Sequence, residues 1–233
     1  MSLVYDRKLL EEWYDAVVPE LQDDEVLIAI LCARRKYSDK ISRSEEMLDK
    51  CILKGSKEAN IRRLIKFLRV EEGDYVDFKT GEPIPLEAMV AYLDLYPKSC
   101  LKAVSTWNKT VLQWMSNAIV NPDFELRTFR KIDTKLFSSI AKSNSRKPAR
   151  IVDIDDQNLD KYYGLPKPDW ITKTRGGYHL IYLTPTKEKE REVSKELYEK
   201  SKDLGLVEIQ WHQCQTVIVG TLQGGVEIKG WRP

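Results

Sequence analysis

One short stretch limits the fold more than any other, Ile151-Val152-Asp153-Ile154-Asp155. Side chains alternate sides along a strand, so Asp153 and Asp155 share one face while Val152 and Ile154 take the other. Two carboxylates that close repel each other unless a cation lies between them. Hard oxygen donors of this kind suit Mg²⁺ or Mn²⁺. The chain is therefore expected to build a strand whose end is a platform for metal-dependent chemistry. A pair of solvated aspartates at a strand end is the plainer alternative.

Downstream, Lys173-Thr174-Arg175-Gly176-Gly177-Tyr178-His179 offers a glycine turn, two cations and a histidine. Backbone N–H groups at the glycines can approach a polyphosphate closely, and Lys173 and Arg175 can neutralise its charge. The same residues also fit an ordinary hairpin turn. Further on, Glu208 lies between apolar neighbours in Leu206-Val207-Glu208-Ile209. An acid there is costly unless it is paired or metal-bound, or unless the strand is a half-exposed edge. His212 is equally a ligand or a surface residue by its spacing.

Between Asp123 and Arg150 stand eight Lys or Arg and three Asp or Glu. Arg127, Arg130, Lys131, Lys135, Lys142, Arg146, Lys147 and Arg150 can track a phosphate backbone or form a solvated basic face. Arg34-Arg35-Lys36 is a second basic edge. The net charge of the 233-residue chain is only +2, so any nucleic-acid surface must be local. With 42% hydrophobic and 32% charged residues, the balance is that of a folded globular chain. No apolar run reaches bilayer length and the N-terminus lacks a secretion-signal pattern, so a cytoplasmic protein without membrane contact is expected. Four widely spaced cysteines lack zinc-knuckle spacing and read as reduced thiols.

Helices are expected over 6–21, from a cap at Ser42 or Ser44 to 53, and over 58–70, 99–117, 124–142 and 187–204. Strands are expected over 25–33, 88–96 (closed by Pro97), 151–155, 178–183, 206–211 and 216–219, with turn-rich chain over 75–85. Helices early and strands late suggest an α+β fold of two subdomains, about 1–145 and 146–233, sharing a cleft.

The order of an apolar strand with D-x-D, a glycine turn with histidine, and a strand with an acid resembles the archaeo-eukaryotic primase superfamily, its primase-polymerases in particular. Asp153 and Asp155 match the first motif, Thr174 to His179 the second, and Val207-Glu208-Ile209 the third. Thr216-Val217-Ile218-Val219-Gly220, Gly224-Gly225 and Gly230-Trp231 resemble the strand, glycine turn and terminal aromatic that follow. Residues 91–99 resemble, more loosely, a strand-to-helix junction upstream. Glu208 stands where Asp is commoner, and no zinc-binding cysteine set is present.

The resemblance implies a primase-like core, an α/β subdomain packed on an RRM-like β-rich one. It implies template-directed nucleotidyl transfer, as a DNA primase or polymerase, with two divalent ions held by Asp153, Asp155 and Glu208. Lys173, Thr174, Arg175, Gly176, Gly177 and His179 would bind the NTP or dNTP. Arg127, Arg130, Lys131, Lys135, Arg146 and Lys147 would contact template or primer DNA. A helicase or another replication or CRISPR partner is compatible with that role. The rival readings are a metal-dependent nuclease and a non-catalytic nucleic-acid-binding subunit.

Overall fold

The computed structural model describes residues 2–71, 73–205, 210–213 and 215–233, with the backbone alone for 161 and 210–213. Helix α1 (Arg7–Val17) is capped by the Asp6 carboxylate, which accepts from the Leu9 N–H, and it buries Leu10, Trp13, Tyr14 and Val17 at helical spacing. It stops short of the expected 21 because Pro19 follows. Val18, the residue before that proline, is extended at φ −83°, ψ 125°. Strand β1 (Glu25–Arg34) is buried along almost its whole length, as its continuous apolar run anticipated.

The stretch expected as a helix from Ser42 or Ser44 to 53 is instead strand β2 (Glu45–Leu53), antiparallel to β1 with Leu27 opposite Leu53 and Arg34 opposite Glu45. A strand buried on both faces needs backbone partners on both sides. That demand overrides the helical reading of 45–53. The outer edge carries exposed Glu45, Asp49 and Lys50, charges that discourage further strand addition. Ser56 then caps α2 (Lys57–Phe67).

Strand β3 (Met89–Ser99) pairs with the other edge of β1 and runs through Pro97 rather than ending before it. The register jumps from Val26↔Lys98 to Ile28↔Asp94, so Pro97 sits in a bulge where no ladder N–H is demanded of it. Ser99 caps the long helix α3 (Cys100–Val120). The helix expected over 124–142 begins as a 3₁₀ turn, Leu126–Lys131, and continues as α4 (Ile132–Lys142), packed against α3.

The last third builds a second sheet from β4 (Ala149–Ile154), β5 (Trp170–Lys173), β6 (Tyr178–Leu183), β7 (Gln210–Gln213) and, at the end of the chain, a strand over Lys229–Trp231. Helix α5 (Lys187–Asp203) joins β6 to β7. Strand β5 was not among the expected strands, whereas β6 has the expected bounds. Strand β8 (Gln215–Val217) returns to the first sheet, giving the order β2-β1-β3-β8. Two short strands, β9 (Leu222–Gln223) and β10 (Val226–Glu227), pair separately, and the final strand is β11. The second sheet has the order β11-β5-β6-β4-β7, and every pairing in both sheets is antiparallel. The molecule is thus an α+β protein, and among the described residues no helix is long and apolar enough to cross a membrane.

Strand alternation splits the second sheet into two unlike faces. Val152, Ile154, Ile171, Leu180 and Tyr182 pack with Val193 and Leu197 of α5. Ile151, Trp170 and Ile181 face the other way and join the main core with the first sheet. Asp153, Thr172 and His179, each two residues along from one of those three, therefore lie on the face turned toward the first sheet.

Candidate functional site

Strand register builds the centre of the site. Asp153 lies opposite His179, and His179 opposite Thr172, across β4, β6 and β5. The row is two residues along each strand from the apolar row Ile151, Ile181 and Trp170, so it marks the place where the inner face turns from apolar to polar. His179 Nε2 is 3.4 Å from Asp153 Oδ1, and Nδ1 is 2.9 Å from Thr216 Oγ1 on β8. The His179 side chain is 8% exposed and that of Asp153 20%. With a hydroxyl at one ring nitrogen and a carboxylate at the other, the neutral ring is best satisfied with its proton on Nε2 and Nδ1 accepting from Thr216. Thr172 completes the row with a buried hydroxyl that finds no hydrogen-bond partner in the described structure.

The strand ends at Ile154, so only Asp153 of the carboxylate pair is a strand residue; Asp155 follows it and is exposed. Asp155 still borders the glycine turn. A Cβ on Gly176 would lie 3.7 Å from Asp155 Oδ1, and one on Gly177 would lie 1.8 Å from the Ile154 carbonyl oxygen. Gly177 is therefore required where it stands, because the turn is pressed onto the backbone that carries the two aspartates. The turn is also the β5–β6 hairpin connection. Thr174 N–H donates to the Gly177 carbonyl, and Gly177 N–H donates to Thr174 Oγ1. Thr174 is buried, and both it and the Gly177 N–H are engaged in closing the turn.

Arg175 projects from the turn into a cluster contributed by distant parts of the chain. Its N–H donates to Gln223 Oε1 at 2.8 Å and its Nη1 to the Gly224 carbonyl at 2.7 Å. Its guanidinium carbon lies 4.8 Å from the centre of the Tyr37 ring, and Gln223 Nε2 donates to the Tyr37 hydroxyl at 2.8 Å. Lys36 Nζ and the Arg34 guanidinium approach the same ring at 5.3 and 5.9 Å. The basic edge at the end of β1 and the glycine turn thus meet around one aromatic ring. Gly224, at φ +58°, leaves room for this; a Cβ there would lie 2.3 Å from Arg175 Nη1.

Other candidate residues are placed elsewhere. Lys173 alternates with Thr172 and so lies on the face of β5 away from His179. Arg146 makes a paired contact with the buried Glu25 carboxylate, Nε to Oε1 and Nη2 to Oε2 both at 3.0 Å, and also reaches the Glu20 carbonyl. Burial alone would raise the Glu25 carboxyl, but hydrogen bonds from Arg146, Ser145 and the Gln22 N–H outweigh it and hold it below the usual carboxylate range. Arg146 is thereby a pin between β1 and the loop into β4. Arg127 pairs with Glu125, and Arg150 with Glu190 of α5. Arg130 and Lys131 are exposed on the 3₁₀ turn and Lys147 on the loop before β4, while Lys135 lines a groove between α3 and α4.

Glu208 lies outside the described residues, as does the side chain of His212. Among the described residues no group of three or more His, Cys, Asp or Glu is placed to hold a metal ion. The donor chemistry present is two carboxylates at a strand end, and Asp155 has no hydrogen bond or ion pair in the described structure. Such a pair fits a hard divalent cation needing further oxygen ligands. Burial pushes the Cys32 thiol up to about 12, so it is inert as a nucleophile.

Sequence reasoning missed Tyr37, Thr216 and Gln223 as parts of the site. Tyr37 ends a basic run and Gln223 precedes a glycine pair, but nothing local joins residues so far apart. Compared with protein-family models, with curated proteins and with solved structures, the chain matches none of them.

Proposed function

We propose that this protein is a template-directed nucleotidyltransferase of the primase-polymerase kind, adding nucleotides to a 3′-hydroxyl. The observation that carries this reading is Asp153 set against His179 across β4 and β6, with the 174–177 turn closed onto the backbone of the aspartate pair. The second sheet supports it. Leaving out β11, the order β5-β6-β4-β7 with α5 between β6 and β7 is that of a split β-α-β sheet, with a 3₁₀ turn, Leu159–Tyr162, between β4 and β5. An RRM-like subdomain has that order.

In this reading Asp153 and Asp155, joined by Glu208, hold Mg²⁺ or Mn²⁺, which when bound lower the pKa of the attacking hydroxyl and neutralise charge on the triphosphate. The protein's own groups then bind and orient. His179, fixed from behind by Thr216, would share its Nε2 proton between Asp153 and a phosphate oxygen. Arg175, steadied by Tyr37 and Gly224, keeps guanidinium donors for a second oxygen, since one N–H bond to a carbonyl leaves four of its five. Lys36 adds positive charge behind it, whereas Arg34 is paired with Glu45. The inner face of the sheet, sealed by the first sheet on its apolar half, keeps bulk water from one side of the polar row.

The test is extension of a labelled primer on a template with dNTPs or NTPs, with and without Mn²⁺. Metal-dependent lengthening that falls on the order of 10²–10³-fold in Asp153→Asn is the expected result. Shortening of the labelled strand would instead make the site a nuclease. Lengthening that survives intact in Asp153→Asn would remove the carboxylate from the chemistry.

A further inference from the structure

A groove of about 750 Å³ separates α3 from α4 near the chain's approach to β4. Its lining includes Lys102 and Ser105 of α3, Lys135, Ser138 and Lys142 of α4, and Asn144 beyond; no carboxylate lines it. On α4 the lining residues Lys135, Ser138, Ser139 and Lys142 recur at i, i+3, i+4 and i+7, the spacing by which apolar residues normally face a packed neighbour. Ser139 is only 5% exposed. Several apolar residues of α3 do the opposite: Leu112, Met115 and Ile119 are 64, 51 and 83% exposed. Hydroxyls and ammonium groups of both helices thus line the groove, while Trp107 and Trp114 of α3 pack toward α4 and the 3₁₀ turn before it, and Leu112, Met115 and Ile119 face outward.

That arrangement is costly for stability and favourable for an anion. Three like charges around one groove repel unless negative charge lies among them. None of the three lysines is ion-paired with a carboxylate in the described structure; Lys102 Nζ has one contact, 3.4 Å to the Asn144 carbonyl, which leaves two of its three donors. Hydroxyl and amide donors beside them suit phosphate oxygens. Lys135 and Lys142 are two turns apart, about 10 Å along the helix axis. That spread exceeds a single phosphate and suits successive phosphates of one chain.

We propose that the α3–α4 groove seats the sugar-phosphate backbone of a single nucleic-acid strand. The choice of nucleic acid among polyanions rests on the nucleotidyl-transfer reading above. The groove reaches Asn144 on the chain's approach to β4 and Asp153 lies near the far end of that strand, so the strand seat precedes β4 in the chain and the chemistry lies near its end. Backbone contact implies binding that is indifferent to sequence and steeply dependent on salt.

Fluorescence anisotropy with labelled oligothymidylate at several salt concentrations tests this, using the full chain. The triple variant Lys102→Gln, Lys135→Gln, Lys142→Gln is expected to bind at least about tenfold more weakly, with a log–log salt slope smaller by about 2, as three lost single-strand contacts require. The corresponding Lys→Arg triple variant is expected to keep both. Wild-type affinity and slope in the Gln variant would overturn the proposal, as would a wild-type chain that binds no strand. Displacement by inorganic tripolyphosphate, with no gain in affinity as the oligonucleotide lengthens, would make the groove a seat for free polyphosphate and overturn the strand. Groove-dependent strand binding in a chain that incorporates no nucleotide would support the groove and remove the polymerase reading. Incorporation that depends on Asp153, with strand binding indifferent to the three lysines, would do the reverse.

Discussion

On the inner face of the second sheet, Asp153, His179 and Thr172 are set side by side by strand register under the first sheet. On the α3–α4 arm, Lys102, Lys135 and Lys142 are set by helical period and remain at the surface. The first arrangement fixes directions: both ring nitrogens of His179 have a neighbour that determines where they point, and a shift of one residue would turn the whole row inside out. The second fixes only charge and spacing, since a lysine side chain is long and rotates freely. A site for bond making needs the former. A surface for holding a flexible polyanion is served by the latter.

Four substitutions probe that difference, in decreasing order of expected consequence. Arg146→Met removes the partner of the fully buried Glu25 side chain and is expected to cost about 3 kcal/mol in urea unfolding, as a buried charge left alone does. The folded Glu25 carboxyl lies below its usual range, so its contribution is present above the unfolded value, near pH 4.3, and is lost as pH falls through the folded value. The stability gap between wild type and variant is therefore expected to narrow on acidification below about pH 4. A gap independent of pH would mean that packing, not charge, is what Arg146 supplies.

Gly177→Ala places a methyl group where the Ile154 carbonyl stands, and is expected to cost about 2 kcal/mol in the same assay. His179→Ala is expected to raise the nucleotide KM about tenfold with little change in secondary structure by circular dichroism, the loss of roughly one charge-assisted hydrogen bond. An unchanged KM would take His179 out of the triphosphate seat. Ile119→Ser, on the exposed arm, is expected to change stability by less than about 0.5 kcal/mol. A larger loss there would show that the arm is covered in solution, as the inner face of the sheet is.

Local sequence revealed these two regions unequally. Strand 178–183 is legible because its apolar run is bounded by Gly176-Gly177 and a proline. Residues 45–53 are not, because β2 is an edge strand whose exposed charges blur the period of two, and only the pairing demand of β1 makes it a strand. The Asp153–His179 approach is implied by two motifs but depends on a register that no motif states. Tyr37 and Gln223 are joined by a hydrogen bond spanning 186 positions, which lies beyond the reach of any local pattern. Lys102 and Lys135 share a groove for a similar reason: the α3–α4 packing joins them, and neither helix's period contains the other's lysine.

Thr216 belongs to β8 of the first sheet, whereas His179 and Asp153 belong to the second. The imidazole is accordingly a staple between the layers, gripped by a different one at each nitrogen. Slippage of one layer over the other by an ångström would part it from one neighbour and release its tautomer. Softening between the layers should therefore register first as a change in the histidine's nitrogen resonances, ahead of any melting.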